Sequence, residues 1–359
     1  MNNWICILLL ASGSVTGCNV VGPTAVQTGR STYNMAIQKT TDEQLLLNLV
    51  RLKYRDPPFF LGVASVSTSY DLSTSASGSV SLPESRENSY GLDARVGYAE
   101  KPTVTYLPLQ GEQFVTQLMS PIDIKTIVLL YYSGWSIERI FLVTLQSING
   151  LGNSPSASGP TPEQPPEFEQ FQELADLLRA MQIEGWLHLG VRKAENDEIT
   201  IEIQFSDEAA HSVAGARLYE LLGLDIASRQ FPLTRTVWTG DRDRIAIVPR
   251  SLLSTLFYIS QAVDVPSGDE QAGRVTVTRG VDGTRFDWHR VFGDLIRIRS
   301  STFPPKNAYV AISYRGSWFY LDDSDLTAKS TFLLLQQLFA LQAGEVKSAG
   351  PILTLPVNR

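Results

Sequence analysis

FLGVASVSTSYDLSTSASGSVSL (residues 60–82) and SYGLDARVGYAEKPTVTY (residues 89–106) decide how this chain is read. From Phe60 to Leu82 every even position is apolar, Gly or Thr, and from Ser65 to Ser81 every odd position is Ser except Asp71. After the polar stretch Pro83 to Asn88 the alternation resumes. Tyr90, Leu92, Ala94, Val96 and Tyr98 now stand against Ser89, Gly91, Asp93, Arg95 and Gly97. Period two places the two sets on opposite faces of a strand. Two such runs around a short polar turn predict a long, protruding antiparallel ribbon over about 60–106. Pairing Leu82 with Tyr90 sets Val80 opposite Leu92, Ala76 opposite Val96 and Asp71 opposite Lys101. Neither face has the bulk to fill an ordinary core.

The start of the chain suggests where such a ribbon would live. Trp4 to Ala11 is apolar but too short to span a bilayer, and Ser12 to Gly17 is small and mostly polar, the pattern of a secretory signal peptide. Val15-Thr16-Gly17-Cys18 resembles the lipobox of bacterial lipoproteins. That resemblance implies cleavage before Cys18 and acylation of Cys18. Asn19 in place of Asp implies delivery to the outer membrane, with the protein on its periplasmic face. Several acyl chains on one residue form a stable anchor. Cys6 would leave with the signal peptide, so no disulfide or thiol site is expected. The net charge of −7 is unclustered, which argues against a nucleic-acid partner.

The remaining chain predicts an α+β fold, with helices packed on antiparallel sheets. Residues 18–39 read as a lipid-anchored tether. Residues 40–150 read as a helical subdomain carrying the ribbon, 151–166 as a Gly-, Pro- and Ser-rich linker, 167–345 as an α+β domain and 346–359 as a tail. A helix is expected to start at Thr40 or Thr41, through a capping box with Glu43 or Gln44, and to stop before Pro57-Pro58. Further helices are expected over 110–119, 122–132, 136–147 with Ser136 as N-cap, 168–181, 209–222 closed by Gly223, 251–263, and from Ser324 or Asp325 to Gln342, capped by Gly344. The helix over 127–132 is apolar almost all round and reads as buried. Strands are expected over 186–191 and 199–205 around a charged turn 193–198, over 233–238 and 244–248 around Gly240-Asp241, and over 274–279, 295–299, 309–314 and 318–321. Thr40 to Pro58, together with Tyr314-Arg315-Gly316-Ser317-Trp318-Phe319-Tyr320, resembles a group of bacterial outer-membrane lipoproteins to which no activity is attached. The resemblance implies an envelope location only.

Chemistry-bearing motifs are sparse. His188 is expected to point outward from a strand, His211 to lie on a helix and His289 in a polar loop, and no pair has metal-ligand spacing. No G-x-S-x-G turn, G-x-G-x-x-G or Walker loop occurs. Asp322-Asp323-Ser324-Asp325 reads as a solvated turn capping the last helix rather than a cation site. Arg242 to Arg244 and Arg297 to Arg299 read as strand-edge or partner-facing charges. No enzyme, cofactor or metal is therefore expected.

The ribbon remains. The nine residues Tyr90 to Tyr98 span about 30 Å at ~3.3 Å each, and a tilt near 40° reduces this to roughly 23 Å, close to the apolar band of an outer-membrane barrel. On this reading Tyr70, Tyr90 and Tyr98 mark membrane interfaces, while Ser73, Ser75, Ser77, Asp93 and Arg95 face a wet lumen. Two strands alone leave unsatisfied edges in lipid, so a homo-oligomer is required, each subunit lending its ribbon to a shared pore or export channel. An alternative is a periplasmic adaptor that docks another envelope protein through the ribbon or the strand Trp318 to Tyr320. A ribbon lying over a soluble sheet, a Ser-rich loop, and a hydrolase with dispersed residues are further readings.

Overall fold

The computed structural model describes residues 18–81, 89–160, 162–193, 199–343 and 353–356. The expected signal peptide (1–17), ribbon tip (83–88), most of the turn 193–198 and the Gly344 cap lie outside the described residues. The fold is mixed α+β with antiparallel sheets. The chain divides into two units, one of residues 1–58 with 112–345 and the other of 59–111 with 346–359.

The larger unit begins with α1 (Cys18–Lys53), a helix of 36 residues. It extends well before the expected start at Thr40. Neither Thr40 nor Thr41 is a cap, because both hydroxyls donate back to the Ile37 carbonyl, at 2.9 Å each. Such back-bonding is how Thr is accommodated inside a helix. Residues 18–39, expected as a tether, are thus helical. Leu45, Leu46, Leu49, Val50 and Leu52 are buried at helical spacing and form the packing face.

Three helices follow, α2 (Glu112–Met119), α3 (Ile124–Tyr132) and α4 (Ile137–Thr144). Ser136 caps α4 as expected, its Oγ accepting from Arg139 N at 3.2 Å. α3 is not buried all round, since Leu129 and Tyr132 are exposed. The chain leaves α4 directly into a six-stranded sheet of order β4-β3-β8-β7-β6-β5. Its strands are β3 (Leu145–Ile148), β4 (Leu151–Gly152), β5 (Leu187–Lys193), β6 (Ile199–Phe205), β7 (Gln230–Thr234) and β8 (Ile245–Pro249). β7 and β8 are parallel, so Gly240-Asp241 does not join an antiparallel pair.

The expected helix over 209–222 is two helices, α6 (Asp207–His211) and α7 (Val213–Leu222), with α5 (Glu169–Glu184) preceding β5. Ser212 ends one and caps the other, accepting from Gly215 N at 2.9 Å. The chain turns so tightly there that a Cβ on Gly215 would stand 1.7 Å from the Ala209 carbonyl oxygen. Gly223 closes α7 in the left-handed conformation. Next come α8 (Leu252–Ser260) with Ser251 as N-cap, α9 (Ser267–Gln271) and α10 (His289–Phe292). Residues 274–279, expected as a strand, form only an isolated bridge at Arg279. A three-stranded sheet of order β10-β11-β9 is made by β9 (Arg299–Ser301), β10 (Ala308–Tyr314) and β11 (Ser317–Asp322). β10 and β11 join through Arg315-Gly316, both at positive φ (50° and 83°), the geometry of a type I′ turn. Finally α11 (Leu326–Ala343) starts on Asp325, whose Oδ1 accepts from Ala328 N at 2.9 Å.

Residues 151–166 are not a linker. Asn153, Ser154 and Ala157 are buried, and Pro155–Ser158 forms a 3₁₀ turn. The cause is Arg250, a fully buried guanidinium that draws this loop inward. Its Nη1 donates to the carbonyls of Leu142 (3.2 Å), Val143 (3.4 Å) and Leu145, its Nη2 to Asn153 O, and its Nε to Ser158 Oγ at 3.1 Å. The carbonyls at the end of α4 are the orphaned, partly negative end of that helix. The cation also lies 3.8 Å above the Tyr258 ring.

The smaller unit is a three-stranded sheet. β1 (Phe60–Ser81) pairs antiparallel with β2 (Ser89–Leu109), and β2 pairs with a short strand, Leu353–Pro356, along Thr103 to Tyr106. The last 14 residues are therefore not simply a tail, since part of them closes one edge of β2.

Candidate functional site

The sequence placed its functional residues on β1 and β2. Val80 faces Tyr90, Gly78 faces Leu92, Ala76 faces Ala94, Thr74 faces Val96 and Leu72 faces Tyr98. This register differs by two residues from the expected one, so parity is kept and both faces keep their composition. Asp71 consequently lies opposite Ala99, and Lys101 opposite Ser69, rather than opposite each other. Ser75 stands opposite Arg95, Ser77 opposite Asp93 and Ser73 opposite Gly97, so all five residues expected to face water share one face. Ser73, Ser75 and Arg95 are exposed. Tyr90 and Tyr98 bound a run of uncharged rungs, whereas Tyr70 lies one rung further, opposite Glu100.

Near the base the alternation breaks. The register shifts between Val63 and Ser65, a β-bulge that leaves Ala64 without an opposite number. Val63 then faces Tyr106 and Val66 faces Val104, while Phe60 and Gly62 move to the other parity with Leu109 and Leu107. Gly62 and Ala64 are thus not part of one continuous apolar face with Val66. β1 is an edge of its sheet, and the strand Leu353–Pro356 covers β2 only over four residues.

The segment Thr40 to Pro58 and the segment Tyr314 to Tyr320 meet in the larger unit. The Tyr54 ring packs edge-on against Tyr314 and Phe319, with centroids 5.8 and 6.2 Å away. Asp56 accepts from the Tyr314 hydroxyl and from Arg315 Nη2 at 2.8 Å. Burial raises the Asp56 carboxyl, but these two donors outweigh it and hold its pKa below the usual range. The Tyr54 hydroxyl donates to Asp269 at 2.5 Å, and Arg55 Nη2 to Thr276 Oγ1 at 2.5 Å. One turn of chain after α1 thereby clasps the β10–β11 turn, α9 and the loop that follows it.

Lys53, at the end of α1, belongs to the same turn and was not singled out from sequence. It forms the floor of a cleft of about 340 Å³ walled by Gln261, Asp264, Glu270, Trp288 and His289. Lys53 is 8% exposed, and its Nζ donates to Gln261 Oε1 at 2.9 Å. Burial lowers its pKa to about 8, with Glu270 and Asp264 opposing that shift and Arg285 assisting it. Asp264 accepts from His289 Nε2 and Arg297 Nε, both at 2.9 Å, and Glu270 from Arg285 Nη2 at 2.6 Å. A buried lysine in the last turn of a helix looks from sequence like a solvated charge complementing the dipole, so no local signal marks it.

The other histidines behave as expected, His188 being exposed on β5 and His211 exposed on α6. The carboxylates of 322–325 are engaged locally. Asp322 accepts from Ser324 N at 3.0 Å, Asp323 pairs with Lys329 at 2.7 Å, and Asp325 caps α11. Among the described residues no group of three or more His, Cys, Asp or Glu is arranged to hold a metal ion, and no helix is long and apolar enough to cross a membrane. No known family, curated protein or solved structure matches the chain.

Proposed function

We propose that the protein is a non-enzymatic lipoprotein, anchored through Cys18 on the periplasmic side of the outer membrane, whose copies each lend β1 and β2 to a shared β-barrel that serves as a pore or export channel. The observation that carries this reading is the register of the strand pair. Five successive uncharged rungs, from Val80–Tyr90 to Leu72–Tyr98, alternate with rungs of Ser, Gly, Asp and Arg. That band is about 23 Å tall at barrel tilt, against roughly 25 Å for the apolar belt of outer-membrane barrels. A lone strand pair is marginal in water and forbidden in lipid. A ring of copies removes both difficulties by joining the edge of each β1 to the β2 of a neighbour. Two strands per copy make the strand count even, and an open aqueous lumen, which needs roughly 16 strands, calls for about eight copies or more.

The test compares the mass of the detergent-extracted, lipidated chain with a version whose residues 64–104 are replaced by a short Gly-Ser turn. A ring of fixed stoichiometry that falls to monomers in the replacement is expected, and conductance recordings follow from it. Monomers in both would sink the shared barrel.

A further inference from the structure

Lys53 presents a problem that the barrel reading does not address. Its ammonium carries three donors, and Gln261 Oε1 is the acceptor it has. Gln261 is itself 6% exposed, with its amide nitrogen directed to Phe257 O and Ser260 Oγ, both at 3.3 Å, so its oxygen is fixed toward the lysine. Every charged group of the cleft facing Lys53 is already committed elsewhere. Glu270 is held by Arg285, Asp264 by His289 and Arg297 together, and Asp287 by the His289 backbone N–H at 3.0 Å. A buried cation resting on one neutral acceptor is costly, and an incoming anion would supply both the missing charge and the missing acceptors. The two arginines at the cleft are half or more exposed, so they stand at its rim. The volume of about 340 Å³ lies at the small end of ligand sites.

We propose that this cleft binds a small oxyanion, a carboxylate or phosphate carried by a metabolite-sized molecule, seated on the Lys53 ammonium with Arg285 and Arg297 at its mouth. The site lies wholly within the larger unit and is independent of β1 and β2.

Calorimetric titration of the full chain in non-ionic detergent, at fixed ionic strength, tests the proposal with two probes, sodium phosphate and sodium succinate. Saturable binding of at least one is expected, and which one binds distinguishes a phosphate ligand from a carboxylate. Repeating the titration in two buffers of different ionisation enthalpy reads the proton taken up. Near pH 8, where Lys53 is only partly protonated before binding, the protein is expected to take up protons on binding. This uptake should shrink toward lower pH once the probe's own ionisation, measured separately, is subtracted. Lys53→Met should weaken binding by about tenfold or more. Gln261→Glu keeps the lysine charged and paired, so the fold is retained, yet it fills the anion position from within and should weaken binding similarly. No saturable heat with either probe, or undiminished binding in a folded Gln261→Glu, would overturn the site.

Discussion

Arg250 and Lys53 are both cations taken out of water, and the larger unit treats them in opposite ways. Arg250 spends its donors on four carbonyls and a hydroxyl and stacks on Tyr258. Lys53 has a single amide oxygen and opens on a cleft. Burial lowers both, Arg250 to about 10 and Lys53 to about 8. Burial alone therefore does not separate structure from function. The number of acceptors does. A guanidinium with its donors used is a fastener, whereas an ammonium with donors to spare is a receptor.

Replacing each by methionine should break the comparison most sharply. Arg250→Met strips a donor from the Leu142, Val143, Leu145 and Asn153 carbonyls. Asn153 Nδ2 still donates to Leu142 and Leu145 at 2.9 and 2.8 Å. A buried acceptor left unpaired, as at Val143 or Asn153, costs about 1–3 kcal/mol. Relief of the buried charge offsets part of that cost, so a net loss of about 1 kcal/mol or more is expected in urea denaturation, with loop 151–166 released toward proteolysis. An effect below about 1 kcal/mol would mean that water replaces the guanidinium freely.

Lys53→Met should do the reverse and stabilise. A folded value of about 8 against 10.5 unfolded corresponds to a burial penalty of about 3 kcal/mol, offset in part by the hydrogen bond to Gln261. The sign follows from proton counts. Below pH 8 both states hold the proton and the penalty is constant. Between about 8 and 10.5 the unfolded chain binds more protons, so wild-type stability rises with pH, and above that it levels. The gain in Lys53→Met over wild type, about 1–2 kcal/mol at pH 7 once the lost hydrogen bond is counted, should therefore shrink as pH rises through this window. Comparing the two curves cancels the buried phenols, such as Tyr54, whose pKa values burial raises in both proteins. A variant less stable than wild type at pH 7 would show that Lys53 is a fastener too.

The same contrast explains what could be read from the sequence. Alternation is local, so the faces of β1 and β2 were legible from Ser73, Ser75, Tyr90 and Tyr98 alone. Register is not local. It depends on how the turn closes, and it slipped by two residues without disturbing parity. Ala64 was misplaced because Phe60 to Ala64 is apolar at every position, which hides a bulge. Ser136 was legible as a cap, and Asp325 as a start of the last helix, because a cap is decided within three residues. Loop 151–166 was not, since a Gly- and Ser-rich stretch has the same composition whether it is solvated or pulled onto a buried arginine nearly 100 positions later. Lys53 failed for the same reason, as Gln261 lies 208 positions away. The contact of Tyr54 with Tyr314, and the hydrogen bond from Tyr314 to Asp56, join segments about 260 positions apart, which no local pattern announces.

The smallest effect on stability separates rim from floor. Arg285 is 64% exposed and paired with Glu270 at 2.6 Å. An ion pair so solvated is worth about 0–1 kcal/mol, so Arg285→Gln should leave the urea midpoint nearly unmoved. Its electrostatic effect reaches inward, however. Arg285 disfavours charge on Lys53 and also occupies Glu270, which favours it. Removing the guanidinium relieves the first and frees the second, and both changes raise the Lys53 pKa above its value of about 8. NMR titration of the Lys53 ε-carbon should show that midpoint move upward with stability constant. An unmoved or lower midpoint would mean that the floor is insulated from its rim, and Lys53 would then be governed by burial and Gln261 alone.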